Sequence, residues 1–410
     1  MNTLWLWRGL YRGLLFISLP LALLRLLWKS RKNPAYRQRF AERLAWRLPD
    51  CQAVIWLHTV SVGEFLAALP LIEQLLADGE DLLITTTTPT GSAMVREKLG
   101  QRVAHSYLPF DVAWMMRRFI GHVRPRMAVF METEIWPQAL QTLKARQCPA
   151  LLINARLSEK SFNGYAKLGT FARDSIASFA EIACQNQASQ TRFAALGGQA
   201  TLLGNLKFDL SAPADLADKQ AQLSRRLGKR HFIVAASTHK GEEAILLTAY
   251  QRSTEQRLLV IAPRHPERSS EIATLASKNG ILAVRYSDTD TLPADTQVLI
   301  VDTLGQLLSF YSLADYAIIG GSFVSHGGHN PLEAALFATP CQIGPSIFNF
   351  DSLIDDMQAE NAIERITAEQ LFTQAPAAKM GEKARHFLAA NQGAVAKYRA
   401  LILQKAKAQS

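Results

Sequence analysis

Residues 54–77 read VIWLHTVSVGEFLAALPLIEQLLA and predict a strand, a turn and a helix in succession. The apolar run 54–57 is typical of a buried strand, small residues follow, and apolar side chains then recur at helical spacing. In a parallel sheet this unit places helix N-terminal N–H groups at the carboxyl edge of the strands. Glu64 at that edge is the first candidate for a catalytic group. The alternative is that Glu64 only interacts favourably with the helix dipole.

The length, net charge and cysteine and histidine content of the chain limit the class of protein to which it can belong. A length of 410 residues suggests two or three domains of ~100–200 residues each. A net charge of +10 indicates an anionic partner, which could be nucleic acid, a membrane surface or a phosphorylated substrate. The charge alone is also compatible with a non-catalytic protein that binds nucleic acid or lipid. Four dispersed cysteines and nine histidines without ligand spacing predict no disulfide framework, no metal site and no cofactor.

Residues 1–35 predict a membrane-associating helix with a basic flank. Arg8, Arg12 and Arg25 interrupt the apolar stretch, and its uncharged core, residues 13–24, is shorter than the ~20 residues of a spanning helix. The tryptophans of this segment suit the membrane interface: Trp5, Trp7 and Trp28. We therefore expect a helix that lies in the interface and is kinked at Pro20. A short spanning anchor and a buried core helix are the alternatives.

Residues 36–210 alternate predicted strands and helices, which indicates a parallel sheet covered on both faces. Ligands of such sheets bind outside the carboxyl ends of the strands. Polar residues fall at those ends: His58, Glu64, Thr90, Glu132, Asn154 and Arg156. Glu134 and Trp136 lie at the mouth of the same sheet, and Lys207 follows its last strand. Because these residues share one location, the sequence favours a catalytic role for Glu64 over a role as a helix-dipole partner only.

The pattern restarts after residues 211–230, a polar stretch with helical spacing that predicts a linker helix. Residues 231–385 predict a second open sheet, and residues 386–410 a C-terminal helix packing back towards the first domain. The fold class is therefore α/β, with two Rossmann-like domains whose parallel sheets face each other across a cleft.

Two segments of the second domain predict a nucleotide site. Prolines shape the turn 263–268, PRHPER, and would display Arg264 and Arg268 to an anion; the alternative is a solvated basic turn. In the second segment, 327–333, glycines allow close backbone approach, Pro331 would leave preceding N–H groups free for phosphate, and Glu333 could accept two ribose hydroxyls. The alternative there is a structural left-handed turn. The sequence contains no GxGxxG after the first strand and no GxxxxGK(S/T). It therefore predicts neither an NAD-binding Rossmann site nor a P-loop.

Nine motifs occur in order along nearly the whole chain: HTVSVGE 58–64, TTTTPTGS 85–92, YLPFD 107–111, METEIWP 131–137, NARLS 154–158, GNLKFD 204–209, STHKGEE 237–243, PRHPER 263–268 and GGHNPLE 327–333. Together they resemble the 3-deoxy-D-manno-octulosonic acid (Kdo) transferases, GT-B glycosyltransferases of family 30. The resemblance implies an inverting, metal-independent transfer of Kdo from CMP-Kdo to a lipid A precursor, lipid IVA. It implies action at the cytoplasmic face of the inner membrane, with no nucleic-acid partner.

The alternative functions are a sugar-nucleotide epimerase and another GT-B glycosyltransferase that uses a nucleotide diphosphate sugar. An epimerase of this fold would act on a soluble nucleotide sugar and would need no anchor.

By resemblance, Glu64 is the general base, and Glu132 and Lys207 stabilise the transition state. The implied CMP contacts are Pro263, Arg264, Leu304, Gly305, Gln306, Asn330, Pro331, Leu332 and Glu333. Gln306 departs from the family, which often has glutamate there. A helix N-terminus lowers a carboxylate's pKa and would weaken Glu64 as a base, whereas a nearby Glu132 would raise it.

Overall fold

The computed structural model describes residues 4–31 and 33–407, and the chain divides into two compact units. The first unit comprises Met1–Asp209 together with Gln392–Ser410, and the second comprises Leu210–Asn391. Each unit is built round one parallel sheet.

The sheet of the first unit places the switch in strand order beside Glu64. Its strands are β1 Ile55–His58, β2 Leu82–Thr86, β3 Ala104–Tyr107, β4 Met127–Met131, β5 Ala150–Ala155, β6 Glu181–Cys184 and β7 Ala200–Leu202. Within the described residues the order is β3-β2-β1-β4-β5-β6-β7, and the pairs are parallel. The order reverses between β1 and β4, the position where open α/β sheets bind ligands.

The second unit repeats this plan. Its strands are β8 Phe232–Thr238, β9 Leu258–Pro263, β10 Ala283–Arg285, β11 Val298–Ile300, β12 Tyr316–Ile319, β13 Cys341–Ile343 and β14 Glu364–Arg365. In the part of the chain that the structure describes, their order is β10-β11-β9-β8-β12-β13-β14. The sequence did not predict the edge strands β10 and β14, because both are short and neither is fully buried, so neither has an apolar run.

The α-helices are α1 Leu4–Lys29, α2 Phe40–Arg43, α3 Val62–Ala77, α4 Pro89–Leu99, α5 Ala113–Val123, α6 Pro137–Ala145, α7 Glu159–Lys167, α8 Thr170–Ile176, α9 Gln187–Ala195, α10 Leu216–Leu227, α11 Glu242–Arg252, α12 Ser269–Lys278, α13 Leu307–Leu313, α14 Leu332–Ala335, α15 Asp351–Ala359, α16 Ala378–Asn391 and α17 Ala394–Lys407.

Helices cover both faces of the first sheet. Ile55 and Leu57 of β1 pack into a core layer with Phe65 of α3 and Tyr398 of α17, whereas Trp56 points to the opposite layer, with Phe119 of α5. This alternation follows from the two-residue period of a strand. Burial on both faces explains the continuous apolar run that predicts β1.

Helix α1 is continuous across Pro20, and none of its residues is buried. The alternative of a buried core helix is therefore wrong. In the described residues, α1 is the one helix that is long and apolar enough to cross a membrane by length and composition. Its exposed apolar side chains indicate membrane anchoring.

Residues 211–230 contain α10, which belongs to the second unit and buries Leu216, Leu223 and Leu227 there. The chain end forms two helices where the sequence predicted one. The break lies at Gly393, whose φ of 96° is the left-handed region that favours glycine. The Asp209 carboxylate accepts the N–H groups of Gly393 and Val395, so it satisfies the first turn of α17.

Candidate active site

Glu64 and Glu132 come together at the carboxyl edge of the first sheet. Glu64 lies in the first turn of α3, directly after β1, and Glu132 directly follows β4. The two strands are parallel neighbours, with Ile55 opposite Met127. The switch in strand order therefore separates the loops that carry these carboxylates.

The local sequence holds Glu64 in one orientation. The Ser61 hydroxyl caps α3 by accepting the Glu64 N–H at 3.3 Å. The Glu64 carboxylate in turn accepts the Val60 N–H at 2.8 Å and the Ser61 hydroxyl at 3.3 Å. This is close to a capping box, in which serine and a glutamate three residues later satisfy each other's backbone. Glu64 thus has a structural role that the sequence also predicted.

The surroundings raise the pKa of Glu64 above its ordinary value. The first cause is burial, which disfavours the charged form, and the negative charge of Glu132 adds to it. The hydrogen bonds from Val60 and Ser61 and the charge of Lys207 act in the opposite direction, but they do not outweigh burial. Glu64 is therefore a stronger base than a glutamate that merely caps a helix.

Lys207 forms an ion pair with Glu132, with 3.4 Å between Nζ and Oε1. Lys207 lies in a short 3₁₀ turn after β7, where the Asn205 side chain accepts its N–H at 3.0 Å. The buried Asn154 accepts the N–H of Leu206 at 3.1 Å and so positions this turn. The structure thus places the three residues predicted as catalytic at one edge of one sheet.

Two residues of this edge have left-handed backbone conformations. The φ angle is 53° at Glu132 and 48° at Asn154, and neither residue is glycine. Such conformations cost of order 1–3 kcal/mol and persist only where the surrounding structure imposes them. The Glu132 N–H is bonded to Ile153 O and its carbonyl accepts from Arg156, so the neighbouring strand imposes the turn.

Glu134 is a third carboxylate at this edge, and sequence reasoning gave it no role. The Trp136 indole N–H donates to its Oε2 at 2.9 Å. Burial raises the pKa of Glu134 to about 7, with a further contribution from the charge of Glu64. Below that pH Glu134 is a neutral acid. The METE motif contained the signal, because its second glutamate follows the same strand end.

His58 contacts this cluster as a neutral imidazole. It is fully buried, and burial lowers its pKa to about 3. Its Nδ1 lies 3.1 Å from the Thr85 carbonyl and 2.9 Å from the Thr85 hydroxyl. Nε2 lies 4.0 Å from Glu134 Oε2. His58 therefore presents a neutral ring, not a cation, to Glu134.

Within residues 4–31 and 33–407, no three or more histidine, cysteine, aspartate or glutamate side chains are grouped to hold a metal ion. The four cysteines are free thiols. The carboxylate cluster faces Lys207 as its cation.

In the second unit, Arg264 and Glu333 lie within electrostatic reach of each other. Arg264 follows β9, with its N–H bonded to Thr238 O at 3.0 Å and its side chain exposed. Burial raises the pKa of Glu333, and the charge of Arg264 opposes that rise. A guanidinium and a carboxylate are thus available at one edge of the second sheet, as the predicted phosphate and ribose contacts require.

The loop Leu304–Gln306 follows β11, the neighbour of β9. Leu304 is 83% exposed, and the Gly305 carbonyl accepts from Lys219 Nζ at 3.0 Å. Gln306 precedes α13, and its carbonyl accepts the Ser309 N–H and hydroxyl. The backbone of this loop is therefore oriented by its own unit, and Leu304 stays open to a ligand.

The glycine turn 327–333 differs from the prediction. The Gly327 N–H donates to Ser346 Oγ at 3.2 Å, and the Gly328 N–H to Gly321 O at 2.8 Å. The Asn330 side chain accepts the N–H of Leu332 at 3.1 Å, and α14 is only four residues long. The expectation that this turn leaves N–H groups free for phosphate is wrong for Gly327 and Gly328, because neighbouring segments already use them.

Glu242 organises the adjacent turn after β12. It is fully buried and accepts the N–H groups of Gly321, Ser322 and Phe323 at 2.7, 3.0 and 2.9 Å, together with that of His239. The turn forms an anion-binding nest that its own glutamate occupies. The sequence does not reveal this role, because Glu242 lies about 80 residues from the turn.

Arg268 is not displayed to an anion, contrary to the sequence prediction. Its guanidinium forms a bidentate pair with the buried Glu243, at 2.8 and 3.1 Å, and also contacts Glu271 at 3.2 Å. Glu243 would otherwise be a buried charge without a cation, so Arg268 has a structural role. Of the two arginines, only Arg264 is left for a ligand.

A stack of histidines lies beside Arg264. His239 and His329 share a hydrogen bond of 2.8 Å between their Nε2 atoms, and the ring of His326 stacks on His239 at 4.1 Å. Burial and, to a smaller extent, neighbouring positive charges together lower the pKa of His329 to about 4. The pKa of His239 is lowered as well, mainly by burial, so both rings of the bonded pair favour the neutral form.

Comparisons with known proteins identify related sequences. A family model for 3-deoxy-D-manno-octulosonic-acid transferase (kdotransferase) matches residues 36–210. A 3-deoxy-D-manno-octulosonic acid transferase of Haemophilus influenzae is 36% identical over 95% of this chain and 96% of its own length. One of Bordetella pertussis is 34% identical over 94% of this chain and 96% of its own.

Solved structures of low sequence identity share the fold. MurG of Acinetobacter baumannii is 12% identical, with a TM-score of 0.55 over 86% of this chain and 99% of its own. A glycosyltransferase of Rickettsia africae is 11% identical, with a TM-score of 0.56 over 88% of this chain and 100% of its own. With the two parallel sheets, these likenesses confirm the predicted GT-B fold.

Proposed function

Because this chain belongs to the 3-deoxy-D-manno-octulosonic acid (Kdo) transferase family, we propose that it transfers Kdo from CMP-Kdo to lipid IVA, a lipid A precursor. One observation carries the assignment of roles. A partly buried Glu64 with a raised pKa lies beside the Glu132–Lys207 ion pair at the switch point of the first sheet. The proposed transfer inverts the configuration at the anomeric carbon and uses no metal.

In the proposed reaction Glu64 accepts the proton of an acceptor sugar hydroxyl. The hydroxyl oxygen forms a bond to the anomeric carbon of Kdo while the bond from that carbon to the CMP phosphate oxygen breaks. The bonding electrons leave with CMP. A sugar hydroxyl is a poor nucleophile, so the base must act during the attack, and a raised carboxylate pKa makes that proton transfer more favourable.

Glu132 and Lys207 act on the charges that develop in this step. An oxocarbenium-like sugar becomes positive as the donor bond breaks, and the Glu132 carboxylate stabilises that charge. The departing phosphate becomes negative, and the Lys207 ammonium stabilises it. Their 3.4 Å contact orients both groups before substrate binds.

The second unit binds the CMP moiety in this proposal. Arg264 contacts the phosphate, and Glu333 accepts ribose hydroxyls. The other proposed contacts are Pro263, Leu304, Gly305, Gln306, Asn330, Pro331 and Leu332. Gln306 offers its side-chain amide where the family often has a carboxylate, since its own carbonyl already accepts from Ser309.

Membrane attachment supports a lipid acceptor. Helix α1 exposes its apolar side chains, and a basic cavity of about 510 Å³ lies beside it. The cations of that cavity are Arg8, Arg12, Arg117, Lys144 and Arg146. Such a cluster attracts anionic phosphate groups at a membrane surface. The basic flank after α1 favours the cytoplasmic face, and we place the protein at that face of the inner membrane.

Purified protein with CMP-Kdo and lipid IVA in detergent tests the proposal. We expect the mass of lipid IVA to increase by one or more Kdo residues, and mass spectrometry of the product also counts them. No mass increase at any protein concentration would refute the assigned reaction. Conversion of a soluble nucleotide diphosphate sugar by the same preparation would instead favour the epimerase.

A further inference from the structure

An apolar groove of about 290 Å³ lies between α1 and the helices α7 and α8. Its lining side chains are mostly hydrocarbon and include Leu10, Leu14, Ile135, Leu168, Phe171 and Ala172. We refer to it as the α1 groove. Cavities of this composition bind apolar ligands, because water gains few hydrogen bonds inside them.

Several polar contacts hold α1 over the groove. Arg8 pairs with Asp174 at 2.8 Å, and the Tyr11 hydroxyl donates to the buried Asp111 at 2.9 Å. The Tyr11 ring also contacts the ring of Phe171, with 5.3 Å between centroids. The groove is therefore a built feature with a fixed wall.

The α1 groove adjoins the catalytic carboxylates. Ile135, in its lining, lies in the chain between Glu134 and Trp136. Tyr165 also lines it, and its pKa is raised first by burial and then by the charge of Glu134. Glu134 in turn is within electrostatic reach of Glu64. Glu134 thus interacts electrostatically both with a residue of the groove and with the proposed base.

The other side of the groove meets the membrane-facing surface of α1. Leu10 and Leu14 line the groove yet are 61% and 60% exposed. A hydrocarbon chain can therefore pass from the bilayer into the groove along these side chains. A glycolipid whose chain lies in the groove would bring its sugar hydroxyls towards Glu134.

We propose that the α1 groove binds one hydrocarbon chain of the glycolipid acceptor and thereby positions the acceptor sugar at Glu64. This inference rests on the proposed function, because it assigns the lipid part of that substrate. It makes the anchor helix part of the acceptor site and not only a means of attachment.

Filling the groove tests the proposal. Ala172→Trp places a large ring in it, and Ala166→Trp on the exposed side of α7 is the matched control. For lipid IVA we expect Ala172→Trp to raise KM about tenfold, which corresponds to about 1.4 kcal/mol or two buried methylene groups. For a chain-free acceptor, lipid IVA with its acyl chains removed, kcat/KM should be unchanged. Equal losses on both acceptors would overturn the proposal, and so would no loss on either.

A second pair of variants avoids overpacking. Leu10→Asn puts an amide in the groove, and Leu21→Asn is equally exposed on α1, at 65% against 61%, but does not line it. Only Leu10→Asn should raise KM for lipid IVA. If it instead weakens binding to anionic phospholipid vesicles more than Leu21→Asn does, with KM unchanged, the groove holds membrane lipid and the proposal is wrong. Transfer by the wild type to neither acceptor would refute the proposed function itself.

Discussion

Replacing Glu64 with glutamine should abolish the base while preserving the helix start. The amide oxygen of glutamine can still accept the Val60 N–H, now at 2.8 Å, and glutamine suits the third helical position as well as glutamate does. Only proton acceptance is lost. A general base contributes about 10²–10⁴ in rate, so we expect kcat to fall by roughly a thousandfold, or about 4 kcal/mol of activation free energy.

Stability and donor binding should not follow kcat. The substitution removes a partly buried negative charge beside Glu132, so the free energy of unfolding should stay constant or rise. The proposed CMP contacts lie in the second unit, so KM for CMP-Kdo should stay within about twofold of wild type, a change of less than 0.5 kcal/mol.

Transfer kinetics with CMP-Kdo and lipid IVA provide the assay, and thermal unfolding checks the fold. Glu73→Gln is the matched control, because Glu73 lies on the same helix but is half-exposed and pairs with Arg102 at 2.6 Å. Loss of such an exposed pair costs at most ~1 kcal/mol of stability and should leave kcat unchanged. Retention of more than about a tenth of wild-type kcat by Glu64→Gln would remove Glu64 from the base role.

Four further variants test the neighbours of Glu64 and the two arginines that follow β9. Lys207→Met removes the cation 3.4 Å from Glu132 and should lower kcat by about 10²-fold, and an unchanged kcat would contradict its role. Arg264→Ala should raise KM for CMP-Kdo about tenfold without changing the melting temperature. Arg268→Ala should leave KM for CMP-Kdo unchanged but lower the stability. It leaves the buried Glu243 without its cation, which should cost about 3–5 kcal/mol of unfolding free energy. Equal effects of the two substitutions on KM and stability would refute the distinction between the two arginines. Glu134 is protonated below its pKa of about 7 and charged above it, and its charge makes Glu64 more basic. We therefore expect kcat to rise as the pH increases through 7, and we expect this rise to disappear in Glu134→Gln. A rise that persists in Glu134→Gln would show that another group causes it.

Local signals in the sequence predict much of the first unit. An apolar run, a turn and a serine three residues before Glu64 are enough to predict β1, its turn and the start of α3. These signals are local because strand burial and helix capping depend on neighbouring residues. The edge strands β10 and β14 lack such signals, since pairing with a neighbour and not burial defines them.

The misassigned residues share one cause. Arg268 is held by Glu243, and Gly327 and Gly328 donate to Ser346 and Gly321, so their hydrogen-bonding groups are occupied. A motif shows which groups could bind a ligand, but not which groups another segment has already bound. Glu134 was overlooked because its raised pKa also depends on distant segments: they bury it, and no neighbouring residue reveals that burial.

The sequence by itself determined the family, the two-sheet fold and the position of Glu64 at a strand end, because ordered motifs and periodicity record them. Only the tertiary structure decided what kind of carboxylate Glu64 is. Its helix position predicted a lowered pKa, whereas burial and the charge of Glu132 raise it. Desolvation depends on every atom packed round the group, and those atoms come from segments far apart in the chain.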